Sequence, residues 1–141
     1  MRLVDGRSGV EVMDRATCLE RLAEGSLGRI AALSGGRPIC LPVNYVVDED
    51  RIVFRTARGT TFDAAVRGAP VAFEIDDTDP EAHTGWSVVV SGIAEEILHP
   101  DEIARLEKLP LQPWVPGDMH HWVAIQIESV SGRRVRPSTS P

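Results

Sequence analysis

The stretch Pro38-Ile39-Cys40-Leu41-Pro42-Val43-Asn44-Tyr45-Val46-Val47-Asp48-Glu49-Asp50-Arg51-Ile52-Val53-Phe54-Arg55-Thr56 decides the fold class. From Ile39 to Val47 the side chains alternate, with Ile39, Leu41, Val43, Tyr45 and Val47 on one face, which is the period of a half-buried strand. Asp48-Glu49-Asp50 reads as a turn and Arg51 to Thr56 as a second strand, so the segment is a β-hairpin. Proline cannot donate to a ladder, and Pro42 therefore assigns the first strand to a sheet edge or a bulge.

Upstream, Asp14 caps a short amphipathic helix with Ala16, Leu19, Leu22 and Ala23 at helical spacing and Gly25 as its stop. Gly28 to Leu33 reads as a strand ended by Ser34-Gly35-Gly36. Downstream, a short helical stretch runs through Val66, Gly68 and Pro70 punctuate the chain, and Val71, Phe73 and Ile75 alternate along another strand. Trp86 to Leu98 is the longest strand candidate, with Gly92 as a bulge that bends a barrel wall. Pro100, Asp101 and Glu102 start a helix whose apolar stripe is Ile103, Leu106 and Leu109. After a loop with Pro110, Pro113 and Pro116, a last strand carries Val123, Ile125 and Ile127 inward and ends near Ser131-Gly132. The sum is about six strands and three short helices with hairpin-length links. No strand-helix-strand series is present, which excludes a doubly wound sheet and leaves a mainly β, antiparallel barrel with peripheral helices.

The 141 residues suit one domain, 1–141, with loose ends near 1–12 and 136–141. A hydrophobic content of 43% is enough for a core without staples, and a net charge of -6 argues against a nucleic-acid partner. Cys18 and Cys40 stand apart, outside any C-x-x-C pattern, and no apolar run approaches membrane-spanning length. A cytoplasmic protein is expected.

The best local site candidate is Arg55-Thr56-Ala57-Arg58-Gly59-Thr60-Thr61, which leaves a strand, passes a glycine and enters a helix. Arginine forks and threonine hydroxyls are the donors a phosphate takes. It is neither a dinucleotide fingerprint nor a Walker loop, and an ordinary polar connection is the better reading of those residues alone. His120 and His121 are adjacent on a strand and point to opposite faces, so no metal site is expected. Glu74 and Asp76 share a strand face and read as solvated groups or a turn cap, Cys40 as a small buried hydrophobe. No side-chain acid or base stands out as catalytic.

In order and spacing, Pro38 to Tyr45, Ile52 to Thr56, Gly59-Thr60-Thr61, Val71 to Asp76 and Gly85-Trp86-Ser87-Val88-Val89-Val90-Ser91-Gly92 resemble the pyridoxamine 5′-phosphate oxidase-like split β-barrels. Gly28-Arg29-Ile30-Ala31 and Val130-Ser131-Gly132-Arg133-Arg134 fit the same order, and the nearest likeness is to the short bacterial, nitroimidazole-reductase-like branch. The resemblance implies a homodimer that binds flavin mononucleotide (FMN) at its subunit interface. It implies that main chain of Pro42, Val43, Asn44 and Tyr45 runs along the flavin ring edge. It implies that Thr56, Thr60 and Thr61 lie at the phosphate, and that Trp86 and Ser87 reach the ring, often from the other subunit. The family usually carries a lysine or arginine where this chain has Thr61, so Arg58 or Arg55 is left to supply that charge. The chain also ends soon after Arg134, without the longer C-terminal part of the true oxidase. The implied activity is a flavin-dependent oxidoreduction of a small organic substrate, with a deazaflavin-dependent reductase, a non-catalytic flavin- or haem-binding module, or an empty scaffold as alternatives.

Overall fold

The structure, a computed structural model, describes residues 3–5, 9–57, 61–111 and 121–137. In chain order its elements are β1 (Leu3–Asp5), β2 (Val10–Met13), α1 (Arg15–Glu24), β3 (Leu27–Ser34), β4 (Arg37–Asn44), β5 (Val46–Asp48), β6 (Arg51–Thr56), α2 (Thr61–Val66), β7 (Ala69–Asp79), β8 (Thr84–Ile97), α3 (Pro100–Leu106), β9 (His121–Gln126) and β10 (Ser129–Val135). None of the described helices is long and apolar enough to cross a membrane.

The antiparallel pairings run in a circuit: β4 with β3, β3 with β7, β7 with β8, β8 with β9, β9 with β6, and β6 with β5. Only Tyr45 separates β4 from β5, so the circuit returns to its start and the sheet curls into a split β-barrel. Pro42 lies on β4, which has β3 as its only neighbour on the sheet path, as a proline in a ladder demands. Inside the barrel Ile30, Ile52, Phe54, Phe73, Val88, Val90 and Ile125 are fully buried, and α1 and α2 add Cys18, Leu22 and Val66. On the outside, Leu106 of α3 packs with Val53, Ile97, Trp122 and Ala124 in a second, smaller cluster.

β8 is long because it serves two sheets. Its residues from Gly85 to Ser91 pair with β10, and those from Ala94 to Ile97 pair with β9. The chain crosses from β9 to β10 over Gly92, where a Cβ would run into the Gln126 carbonyl oxygen. The β7–β8 register passes through Gly92 unbroken, but the register of β8 shifts by one residue between β9 and β10, so the bulge that Gly92 marks is on the partner side, where the glycine makes room for the crossing backbone. β10 in turn pairs with β2, and β2 with β1. The stretch that reads as a loose start thus contains two strands, and Glu11 is buried against Arg134 and Arg136.

Local chemistry sets the helix ends. The Asp14 carboxylate accepts from the Thr17 N–H at 2.8 Å and caps α1. Gly25 has an extended φ of -82° instead of a left-handed one, and its purpose is space: a Cβ there would meet the Tyr45 hydroxyl. α3 has only seven residues and is held by charge. Arg105 reaches both oxygens of the buried Asp48, at 3.0 and 2.9 Å, Arg51 reaches it at 2.8 Å, and Arg51 also meets Glu102 at 2.8 Å. The Arg105 hydrogen bonds, with Arg51 behind them, outweigh burial and hold the Asp48 carboxyl at about 2, below its ordinary 3.8.

Because the folded value lies below the unfolded one, Asp48 stabilises the protein above its ordinary pKa and that stabilisation fades as pH falls toward the folded value. Asp48→Asn should lose about 1–3 kcal/mol at neutral pH and show a shallower acid-induced fall, measured by urea unfolding across a pH series. Equal stability of the two proteins at neutral pH contradicts this role.

Candidate functional site

The hairpin that opens the chain's reading also builds the site. β5 and β6 pair from Asp48↔Arg51 to Val46↔Val53, and the ladder stops there. At Tyr45 the strand turns away: its N–H donates to the Ser26 carbonyl at 3.1 Å, and beyond it β4 is paired with β3. Past this point β4 pairs with β3 and β6 with β9, so among the described residues one edge of β4 has no strand beside it, and we call the gap between β4 and β6 the wedge. Pro38 and Pro42 have the same strand parity, so both place their missing donor on the open edge of β4. The even-numbered main-chain groups of β4 therefore face the wedge, and the odd-numbered ones serve the ladder to β3.

Tyr45 is the hinge of this arrangement. Its ring is 2% exposed, packs edge-on against Phe73 at 4.8 Å, and donates its hydroxyl to the Leu22 carbonyl at the end of α1 at 2.6 Å. Burial pushes the phenol up to about 12. Any ligand contact at Tyr45 falls to its main chain, since the side chain belongs to the core. Val43 is half-buried against that core, and Asn44 donates its side-chain amide to the Ser26 carbonyl at 3.3 Å.

Thr56 ends β6, 2% exposed, and donates its hydroxyl to Asp63 of α2 at 2.5 Å. Arg55, one residue earlier, points to the opposite barrel face, where its guanidinium lies 4.7 Å from the centre of the Trp122 ring. Thr56 and Arg55 are thus not brought together. Arg58 and Thr60 lie outside the described residues, as do His120 and Trp114, and Thr61 is seen as the first residue of α2.

Trp86 and Ser87 sit on β8, separated from β4 by β3 and β7 and so three strand spacings, roughly 14 Å, across the sheet, with Val89 and neither of them in register with Pro42. Trp86 faces inward beneath the Arg21 guanidinium, 5.2 Å from its ring centre, between open hollows of about 370 and 310 Å³. Ser87 faces outward, opposite Asp76 on one side and Arg133 on the other.

The outer sheet face carries Leu27, Arg29, Ala31 and Leu33 of β3, Glu74 and Asp76 of β7, and Val89 of β8 in neighbouring register. Arg29 bridges Glu74 at 3.2 Å and Asp76 at 3.3 Å, so the two carboxylates form neither a free solvated pair nor a turn cap; β7 runs on to Asp79. Burial and then the neighbouring Asp76 push Glu74 up to about 7 in spite of Arg29. Cys40 lies exposed on β4, opposite Ala31, and the buried cysteine is Cys18.

Sequence reasoning missed a polar cluster at the barrel mouth. Asp63, 1% exposed, also takes His121 Nδ1 at 2.8 Å, and the same nitrogen meets Glu96 at 3.1 Å. Arg67 approaches both carboxylates at 3.7 Å. Two carboxylates at one ring nitrogen require the His121 proton to sit on Nδ1. Burial alone would push Asp63 up, but the bonds from Thr56 and His121 and the charges of His121 and Arg67 hold it below the ordinary carboxylate range.

This barrel is one known class. A family model described as pyridoxamine 5′-phosphate oxidase matches residues 14–134, and the chain belongs to that family. An uncharacterized Mycobacterium tuberculosis protein is 40% identical over 128 residues, covering 87% of this chain and 84% of its own. Among solved structures, the FAD binding protein from Mycobacterium smegmatis superposes with a TM-score of 0.79 at 32% identity, covering 90% of this chain and 99% of its own. The FAD and haem binding protein from the same organism shares the fold at 18% identity, with a TM-score of 0.71 and coverage of 90% and 75%.

An acid whose folded pKa is raised stabilises below its unfolded value and loses that contribution as pH rises, so Glu74 should make the protein less stable between its ordinary 4.5 and about 7. Glu74→Gln should flatten that fall in a thermal-unfolding series across the same range. An identical slope in both proteins would contradict the assignment.

Proposed function

We propose that the protein binds a flavin nucleotide, FMN in the first instance, in the wedge between β4 and β6, and that it is an oxidoreductase acting on a small organic acceptor of nitro or quinone-like chemistry. The observation that carries the reading is the hairpin whose ladder stops at Val46↔Val53, so that among the described residues one edge of β4 has no strand beside it. An isoalloxazine edge is a row of donors and acceptors, which an unpaired strand edge complements without charged side chains. Arg58, Thr60 and Thr61 are the residues for the phosphate, and Arg58 is the cation that takes the role left by Thr61. Arg55, stacked on Trp122 away from Thr56, is not. A bound flavin supplies the electron and hydride chemistry; the chain's own part is to orient it and shield it from water. Family membership and the 32% identical FAD binding protein support a flavin, and the latter favours FAD as the second reading of the nucleotide.

The site is completed by a second copy of the chain. Leu33 is 65% exposed and Leu27 and Val89 each 39%, on a sheet face whose centre balances Arg29 and Arg133 against Glu74 and Asp76. An apolar, charge-balanced face fits an isologous partner, and such a partner brings a Trp86-Ser87 segment that one chain keeps away from its own wedge.

The test is the absorption spectrum of the purified protein, titration with FMN and FAD, and reduction of the bound flavin by a nicotinamide donor. Saturable binding is expected, weakened about tenfold or more by Arg58→Ala and changed less than about twofold by Arg55→Ala. A colourless protein that ignores both flavins overturns the cofactor, and a flavin that no donor reduces overturns the oxidoreductase.

A further inference from the structure

The mouth of the wedge is held by a bond that direct ligand contact does not explain. α2 has six residues, too few to be stable alone, so tertiary contacts must fix where it starts. Val66 in the core and Phe62 against Phe54, 6.4 Å between ring centres, fix its buried side. Asp63 fixes the other. It receives the Thr56 hydroxyl and His121 Nδ1, residues paired across β6 and β9, and so ties the end of β6 to α2 on either side of residues 57–60.

A threonine hydroxyl has one proton to give, and that of Thr56 is given to Asp63. Only acceptor lone pairs remain on that oxygen, and those repel a phosphate. We infer that Asp63 is a positioning residue for the phosphate end of the ligand, fixing the end of β6 against the start of α2 through Thr56 and His121, and that Thr56 acts through Asp63 without donating to the ligand. This rests on the flavin reading above. The Asp63 charge itself has little reach, because the Arg67 guanidinium lies against it, so geometry decides the sign of the effect.

Riboflavin has the FMN ring without the phosphate, and the ratio of the two affinities isolates the phosphate end. The test is that ratio in the full-length protein and its Asp63→Ala, Thr56→Val, Thr56→Ser and Asp63→Ala/Thr56→Val forms. Asp63→Ala and Thr56→Val should each weaken FMN about tenfold and leave riboflavin within about twofold. Thr56→Ser, which keeps the hydroxyl, should behave as wild type, and the double variant should lose no more than the worse single one. A protein that merely loses stability would lose both ligands in parallel. An unchanged ratio in Thr56→Val, or additive losses in the double variant, overturns the inference while leaving the flavin reading in place. Wild-type protein that binds neither ligand, or binds both equally, overturns the flavin reading or its phosphate contact, and the inference with it.

Discussion

At Tyr45 one strand leaves β3 and takes β6 as its partner, and the barrel's circuit closes through that exchange. A phenol with its only proton on the Leu22 carbonyl, its ring against Phe73 and a glycine at 25 to clear its hydroxyl leaves little freedom in where the exchange occurs. The divergence of β4 from β6 follows directly. So does the open edge with Pro38 and Pro42. A barrel paired all the way along this hairpin would have no wedge to offer a ligand.

Around this frame the short peripheral elements are held mainly by buried carboxylates. Asp48 takes two arginines and fastens α3; Asp63 takes Thr56, His121 and Arg67 and fastens α2; Glu11 takes Arg134 and Arg136 and fastens the strand that follows β9. Elements of six or seven residues bury too little apolar area to fix their own orientation, and charge-assisted bonds have the directionality that apolar contact lacks. An unpaired buried carboxylate is costly, so each anchor also penalises the detached state of its element.

Strong alternation made the ring legible. Ile39 to Val47, Arg51 to Thr56, Val71 to Ile75 and the Val88-Val89-Val90 run carry the period of strands, and Pro42 named the edge. β10 was not legible, because Ser129, Ser131, Gly132, Arg133 and Arg134 give little apolar contrast; its place depends on pairing with β8 and β2. Gly92 combines the two features that ask for a glycine in a strand, an irregular register and a close crossing. In the candidate site, the β4 stretch and Thr56 stand out in the sequence by order and spacing, whereas Asp63 looks like any acid in a first helical turn. Its partner His121 is 58 residues away, and only folding brings the two to one ring nitrogen. The facing of Arg55 away from Thr56 follows from strand parity, and so does the exposure of Cys40, which shares the outward face of its partner Ala31.

We propose that two copies of this chain complete each other's flavin site across the β3–β7–β8 face. Sedimentation of flavin-loaded protein over a dilution series, recorded at the protein band and at the visible flavin band, tests it most directly. The account predicts that flavin absorbance travels only with the dimer boundary and is released as the dimer dissociates. Flavin travelling with the monomer, or a dimer that carries none at saturating flavin, would contradict it.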